Sequence, residues 1–382
     1  MIQIRLEAMK YLAILSALVV PALLAACSAS KDSTFDGGGT TSSAGVGGNS
    51  LDVSVGVGSG GGTQGGCDAA VAICDDELKN PKLCDEGLKL GDPDAMNAAK
   101  AIDLCKASSK GSWGVLSAKY VRADGSAAAA GPNTGLVPKF GSGASPQAGK
   151  SMLALSSGHA RDVAMPEACA SQTCENAGPG QAPTGFPQDV PNCPGSKDIN
   201  DDIGLELKLK APVNAKGYQF NFAFMSFEFA EYVCTEFNDQ FIALVSPAPM
   251  GSVSGNISFD KKKNPVSVNL ALFDHCDPAT KAQFGLFCGL FGAGNCPPPP
   301  NPYCPQGPSF MQGTGFGGEW GDAGSTGWLV TTAPVEGGSE FTIRFAIWDT
   351  GDTALDSTVL VDNFRWSADP VGIDTETVPD PK

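Results

Sequence analysis

Acidic residues gather at three places in this chain. Asp198, Asn200, Asp201 and Asp202 lie together ahead of a strand-like run. Glu228, Glu231, Asn238 and Asp239 surround one turn. Asp349, Asp352, Asp356 and Asp362 follow one another further on. Ca2+ takes roughly six to eight oxygen ligands, and loops of Asp, Asn and backbone carbonyl supply them. Asp349-x-x-Asp352-x-x-x-Asp356 converges if its hairpin folds tightly. The expected cofactor is therefore Ca2+, drawn from Glu228, Glu231, Asn238, Asp239, Asp349, Asp352, Asp356 and Asp362. Two plainer readings stand beside it. Asp and Asn next to Gly are ordinary turn residues, and buried acids can accept backbone hydrogen bonds. No EF-hand loop is present, because its Gly and closing Glu are missing from the required spacing.

Two carboxylates also suffice for glycoside hydrolysis, in a cleft holding them about 5–9.5 Å apart. Other enzyme templates fare poorly. The two histidines are His159, behind Ser156-Ser157-Gly158, and His275, between Asp274 and Cys276. There is no H-E-x-x-H, no G-x-S-x-G and no P-loop. No catalytic residue is assigned.

The cysteines divide into two kinds. Cys27 stands behind Leu24-Ala25-Ala26, at the end of an apolar run from Tyr11 that Lys10 precedes and Pro21 interrupts. The run is short against the roughly 20 apolar residues of a spanning helix. At every position this resembles the lipobox of a bacterial lipoprotein. Residues 1–26 are then the signal peptide, with Met9 the more natural start. Lipid on Cys27 makes the membrane contact. Ser28, where an aspartate would retain the chain at the inner membrane, implies the outer membrane. Of 13 cysteines, removing Cys27 leaves an even set: Cys67, Cys74, Cys84, Cys105, Cys169, Cys174, Cys193, Cys234, Cys276, Cys288, Cys296 and Cys304. In an oxidising compartment an even set reads as disulfides, with connectivity left open. The C-x6-C-x9-C-x20-C spacing of the first four does not match zinc sites, and no histidine is near.

Charge narrows the partners. The formal net charge is −16. Phosphate backbones demand Lys and Arg, so no nucleic-acid partner is expected. An acidic surface favours solubility and suits divalent cations.

Several kinds of element must position these groups. Residues 28–66 are almost all Gly, Ser, Thr, Ala, Asp and Val. Such a stretch buries too little to offset its ordering entropy. With Cys27 it forms a lipid-anchored tether, 27–66, with a reach of roughly 30–40 Å. Residues 67–108 read as a small Cys-rich module with short helices at 69–73 and 95–104. Asp92-Pro93 would cap the second helix. From Trp113 the period becomes two. Tyr218, Phe220, Phe222 and Phe224 share one face, as do Phe341, Ile343, Phe345 and Ile347. Further strands are expected at 115–121, 241–245, 266–273, 327–332 and 357–366. Many short strands with Gly- and Pro-rich connections predict an all-β fold. It is a jelly-roll-like antiparallel β-sandwich over 109–367, preceded by the disulfide-stabilised helical module. Cys-rich loops at 166–201 and 276–308, the second holding Pro297 to Pro300, interrupt it. Residues 368–382 form an acidic tail.

The run from Phe222 to Phe241 carries a resemblance. It holds a strand, the turn around Glu228, Glu231 and Tyr232, and then Phe237-Asn238-Asp239-Gln240-Phe241, and it leads on to Ser246-Pro247. This resembles the signature of the choice-of-anchor L domain. Asn256-Ile257, the block Asn264 to Asn269 and the ending Asp349 to Phe364 fit in the same order. The turn departs from the family pattern at Phe227 and Ala230, where Glu and Pro are usual. The resemblance spans roughly residues 113–366. It implies a β-domain of the bacterial surface and names no reaction. The lipid-anchored, Cys-rich form resembles surface proteins of myxobacteria. The expected function is a non-catalytic binding or adhesion module of the envelope, with a glycan or protein ligand. A secreted hydrolase of polysaccharide or peptide, and a purely structural envelope protein, are the alternatives.

Overall fold

The computed structural model describes residues 68–70, 72, 82–109, 111–174, 177–193, 195–229, 232–269, 309–316 and 323–377. The expected signal peptide, Cys27, the tether, Cys67, Cys74, Glu231, the proline run and Cys276, Cys288, Cys296 and Cys304 lie outside these residues.

Among the described residues the first element is the helix α1, Ala95–Ala101. Asp94 caps it by accepting the Met96 N–H at 2.9 Å. The expected cap, Asp92, sits two residues earlier and accepts the Asp94 N–H and the Asn97 side-chain amide instead. Eleven strands follow: β1 Gly114–Val121, β2 Thr134–Val137, β3 Met152–Ser156, β4 Ile199–Lys210, β5 Gly217–Ser226, β6 Gln240–Ser246, β7 Val266–Ser267, β8 Gly324–Pro334, β9 Glu340–Thr350, β10 Ser357–Ser367 and β11 Asp374–Thr377.

The strands build two antiparallel sheets, ordered β1-β4-β9-β6-β7 and β11-β8-β5-β10-β3-β2. The long strands β4, β5, β6, β8, β9 and β10 alternate between the sheets. Each of these connections therefore crosses the sandwich, and the expected β-sandwich is the fold.

Alternation explains the core. Phe220, Phe222 and Phe224 on β5 meet Phe241 on β6 and Phe345 on β9 between the sheets. Each buried aromatic of this kind contributes roughly 1.5–3 kcal/mol. The outer faces are also covered, which simple alternation does not foretell. Ala223, Met225 and their cross-strand neighbour Trp328 cluster with Phe140 and Phe310 on the outer face of their sheet. Ile242, Ala346 and Trp348 lie under Phe186 from the Cys-rich loop. Small or unbranched residues at Ala223, Ala346 and Met225 leave room for loops to lie on the sheets.

The helix shares the central core. Ala95, Ala98, Ala99, Ala101 and Ile102 are buried in the same cluster as Trp113, Leu207 and Trp366. Cys84–Cys105 closes this segment, Cys169–Cys174 a tight loop, and Cys193–Cys234 joins the long loop to the turn after β5. That long loop ends earlier than expected, because Ile199, Asn200 and Asp201 already belong to β4.

Candidate functional site: an acid cluster at the end of the core

Four strands carry their inward face one step past the aromatic core. Successive side chains alternate between faces, so Asp239 continues the face of Phe241 and Asp349 that of Ile347. Ser357 continues the face of Val359, and Ser226 that of Phe224, with Glu228 two residues beyond. The polar residues therefore close the end of the space between the sheets. Register brings the two aspartates together. The β6–β9 pairing sets Gln240 opposite Trp348, and its next step sets Asp239 opposite Asp349. Gly351, at φ +98, then turns the chain away from β9.

Carboxylate oxygens of Glu228, Asp239 and Asp349 all lie within 4.8 Å of one another. The three residues are 1%, 0% and 0% exposed. Asp239 accepts the Thr350 N–H at 2.8 Å through Oδ1 and the Ser357 hydroxyl through Oδ2. Glu228 accepts the Asp239 N–H at 3.3 Å. Neither oxygen of Asp349 has a hydrogen-bond partner. The polar neighbour its carboxyl can reach with a proton is Asp239.

No lysine, arginine or histidine forms an ion pair with the three among the described residues. Two charged carboxylates at this spacing repel by roughly 3–4 kcal/mol at an effective dielectric of about 20. Burial accordingly pushes Asp239 up to about 7, against the pull of Ser357 and Thr350. Burial and the Asp239 charge raise Glu228 well above the usual range. Burial, with Asp239 and Glu228 adding repulsion, pushes Asp349 up to about 12.

The other expected ligands sit elsewhere or face other partners. Asn238 is buried and accepts the Asn269 N–H at 3.2 Å. Asp352 is exposed and caps its own turn through the Ala354 N–H. Asp356 accepts the Cys174 N–H at 2.8 Å, and burial pushes it up to about 8. Cys169 and Cys174 lie beside Asp356, but their sulfurs are bonded to each other and offer no thiolate. The 349–352–356 spacing thus does not draw its three aspartates onto one point. The first acidic group disperses as well. Asp198 is exposed, Asp201 accepts the Gly178 N–H, and Asp202 pairs with Arg122 at 2.6 Å. His159 lines a shallow depression with Arg161, Phe227 and Asp356. Its Nδ1 lies 2.6 Å from the Glu167 carbonyl.

Ser226, Thr350 and Ser357 were not singled out in the sequence. The signal that finds Ser226 and Ser357 is the aromatic stripe itself, followed past its last apolar member; Thr350 lies on the other face of β9 and takes part through its backbone N–H.

Asp362 lies further along β10. It accepts the N–H groups of Gln147, Ala148 and Asn363. Burial and the nearby Asp103 push it up to about 8. Asp103 itself is half-buried with neither oxygen bonded, and burial pushes it up to about 6. Both folded carboxyls hold protons that the unfolded chain releases near 3.8. Their stabilising contribution is complete below that value and is lost as pH rises through about 6 and then about 8. Asp103 is at φ 68, a conformation asparagine tolerates. Asp103→Asn should therefore melt about 2–4 °C above the wild type at pH 8 and by about half as much at pH 5. An offset equal at both pH values would rule out titration as the cause.

Comparison with known proteins bears on the whole of this region. The family model for the choice-of-anchor L domain matches residues 140–364. That span is more than half of the chain and contains Glu228, Asp239 and Asp349. It starts later than the roughly 113 expected from the motifs, leaving α1, β1 and β2 outside. No curated protein and no solved structure matches the chain.

Proposed function

Because the chain belongs to the choice-of-anchor L family, whose members are surface-associated modules, we propose that it is a non-catalytic binding or adhesion module of the bacterial envelope. In this reading lipid on Cys27 holds it at the outer membrane, and the Gly- and Ser-rich tether carries the sandwich away from the bilayer. The ligand is an envelope or matrix glycan, or a protein. No helix among the described residues is long and apolar enough to cross a membrane.

The observation that carries the choice of a binder over a hydrolase is the direction of the signature acids. Glu228 and Asp239 face into the sandwich and are 1% and 0% exposed. A hydrolytic pair must instead face a cleft that admits substrate and water. The acids support the fold, and the outer surface and loops are left for recognition.

Whole-cell adhesion tests the reading. Cells carrying Cys27→Ser should lose surface attachment and cell–cell aggregation as fully as a deletion strain. Attachment unchanged in both strains would sink it.

A further inference from the structure

We propose that Glu228, Asp239 and Asp349 form a calcium site that clasps one end of the sandwich. The inference does not rest on where the protein is displayed, so the two stand or fall separately.

Three observations carry it. The first is the donor set. All three side chains are carboxylates, with no sulfur or imidazole among them, which selects a hard cation. They come from three separate stretches of chain, each able to bind through one or both oxygens, which suits the adaptable shell of Ca2+ better than the strict octahedron of Mg2+.

The second is Asp349. It is 0% exposed, no donor outside the cluster bonds to either of its oxygens, and it lies within 4.8 Å of the other two acids. Two other buried aspartates are satisfied internally. Asp362 takes three backbone N–H groups, and Asp202 takes Arg122 together with the Ala123 N–H. Asp103 also leaves both oxygens unbonded, but it is half-buried and stands outside the cluster; Asp349 is fully buried within it.

The third is register. Like charges directly opposite on paired strands destabilise a sheet, and the β6–β9 pairing leads directly to Asp239 opposite Asp349. A divalent ion between them turns that repulsion into a bond across the sheet. Through Glu228 the same ion reaches the turn that follows β5 in the facing sheet. The clasp would thus hold both sheets at the end where the aromatic core stops.

The experiment uses the purified full chain, stripped with EDTA and returned to calcium chloride alone. One calcium per chain should bind, and the melting temperature should rise by about 5 °C or more at saturation. Magnesium at the same concentration should give a smaller rise. Asp349→Asn should remain folded and lose the calcium response, while Asp352→Asn keeps it. Glu228→Gln serves the same purpose if Asp349→Asn does not fold. Equal melting in EDTA and calcium with no ion bound would overturn the site. So would an Asp349→Asn chain that binds calcium like the wild type, or a magnesium response as large as that of calcium.

Discussion

Replacing Cys193 and Cys234 together with serine should cost about 4 kcal/mol, roughly twice the loss on replacing Cys169 and Cys174. The bridges span sequence separations of 41 and 5. Cross-linking limits the unfolded chain more when the closed loop is longer, and the difference follows from loop length alone. The long bridge also has a structural task. Cys234 lies in the segment that leads from Glu228 to Asp239, and its N–H is bonded to Asn269. Near it, Phe229 and Val233 dip into the central core. Losing the bridge therefore loosens the turn that brings two of the three clustered acids together. Denaturant midpoints of the two double variants under oxidising conditions measure the effect. Equal losses would show that local packing, and not loop closure, sets the contribution of these bridges.

Phe345→Ala should cost about 3–5 kcal/mol. Phe345 is 0% exposed at the centre of β9, edge-on to Phe220 at 4.9 Å and stacked on Phe241 at 6.5 Å. These rings come from both sheets, so the cavity would open in the middle of the interface. The surrounding aromatics are large and mutually packed, which limits how far the site can collapse. Equilibrium unfolding of the purified variant reads the loss directly. A loss below about 1 kcal/mol would mean that the core closes over the gap and that the sheets are held elsewhere.

How much of this was legible beforehand depended on contrast between the two faces of a strand. β9 announces itself because Phe341, Ile343, Phe345 and Ile347 alternate with Thr342, Arg344 and Ala346. β5 does so for the same reason. β3 does not. Met152 to Ser156 is buried on both faces, so its sequence shows a short, unpatterned run that periodicity cannot separate from a buried helix turn. β2 is only four residues long and equally unpatterned.

The acid cluster was legible in composition but not in membership. Spacing grouped Asp349 with Asp352 and Asp356, its neighbours in sequence. The fold groups it with Asp239, far away in sequence, through a strand register that no local pattern encodes. The family signature did point to Glu228 and Asp239. It did not reveal that both turn inward, because facing direction is fixed by where the aromatic stripe ends.

The central claim is display of this domain at the cell surface by lipid on Cys27, and fractionation of cells expressing wild-type and Cys27→Ser chains tests it most directly. The wild-type chain should sediment with the outer membrane and be cleaved by protease added to intact cells, and Cys27→Ser should appear in the soluble fraction. A Cys27→Ser chain that remained fully membrane-bound would contradict the account.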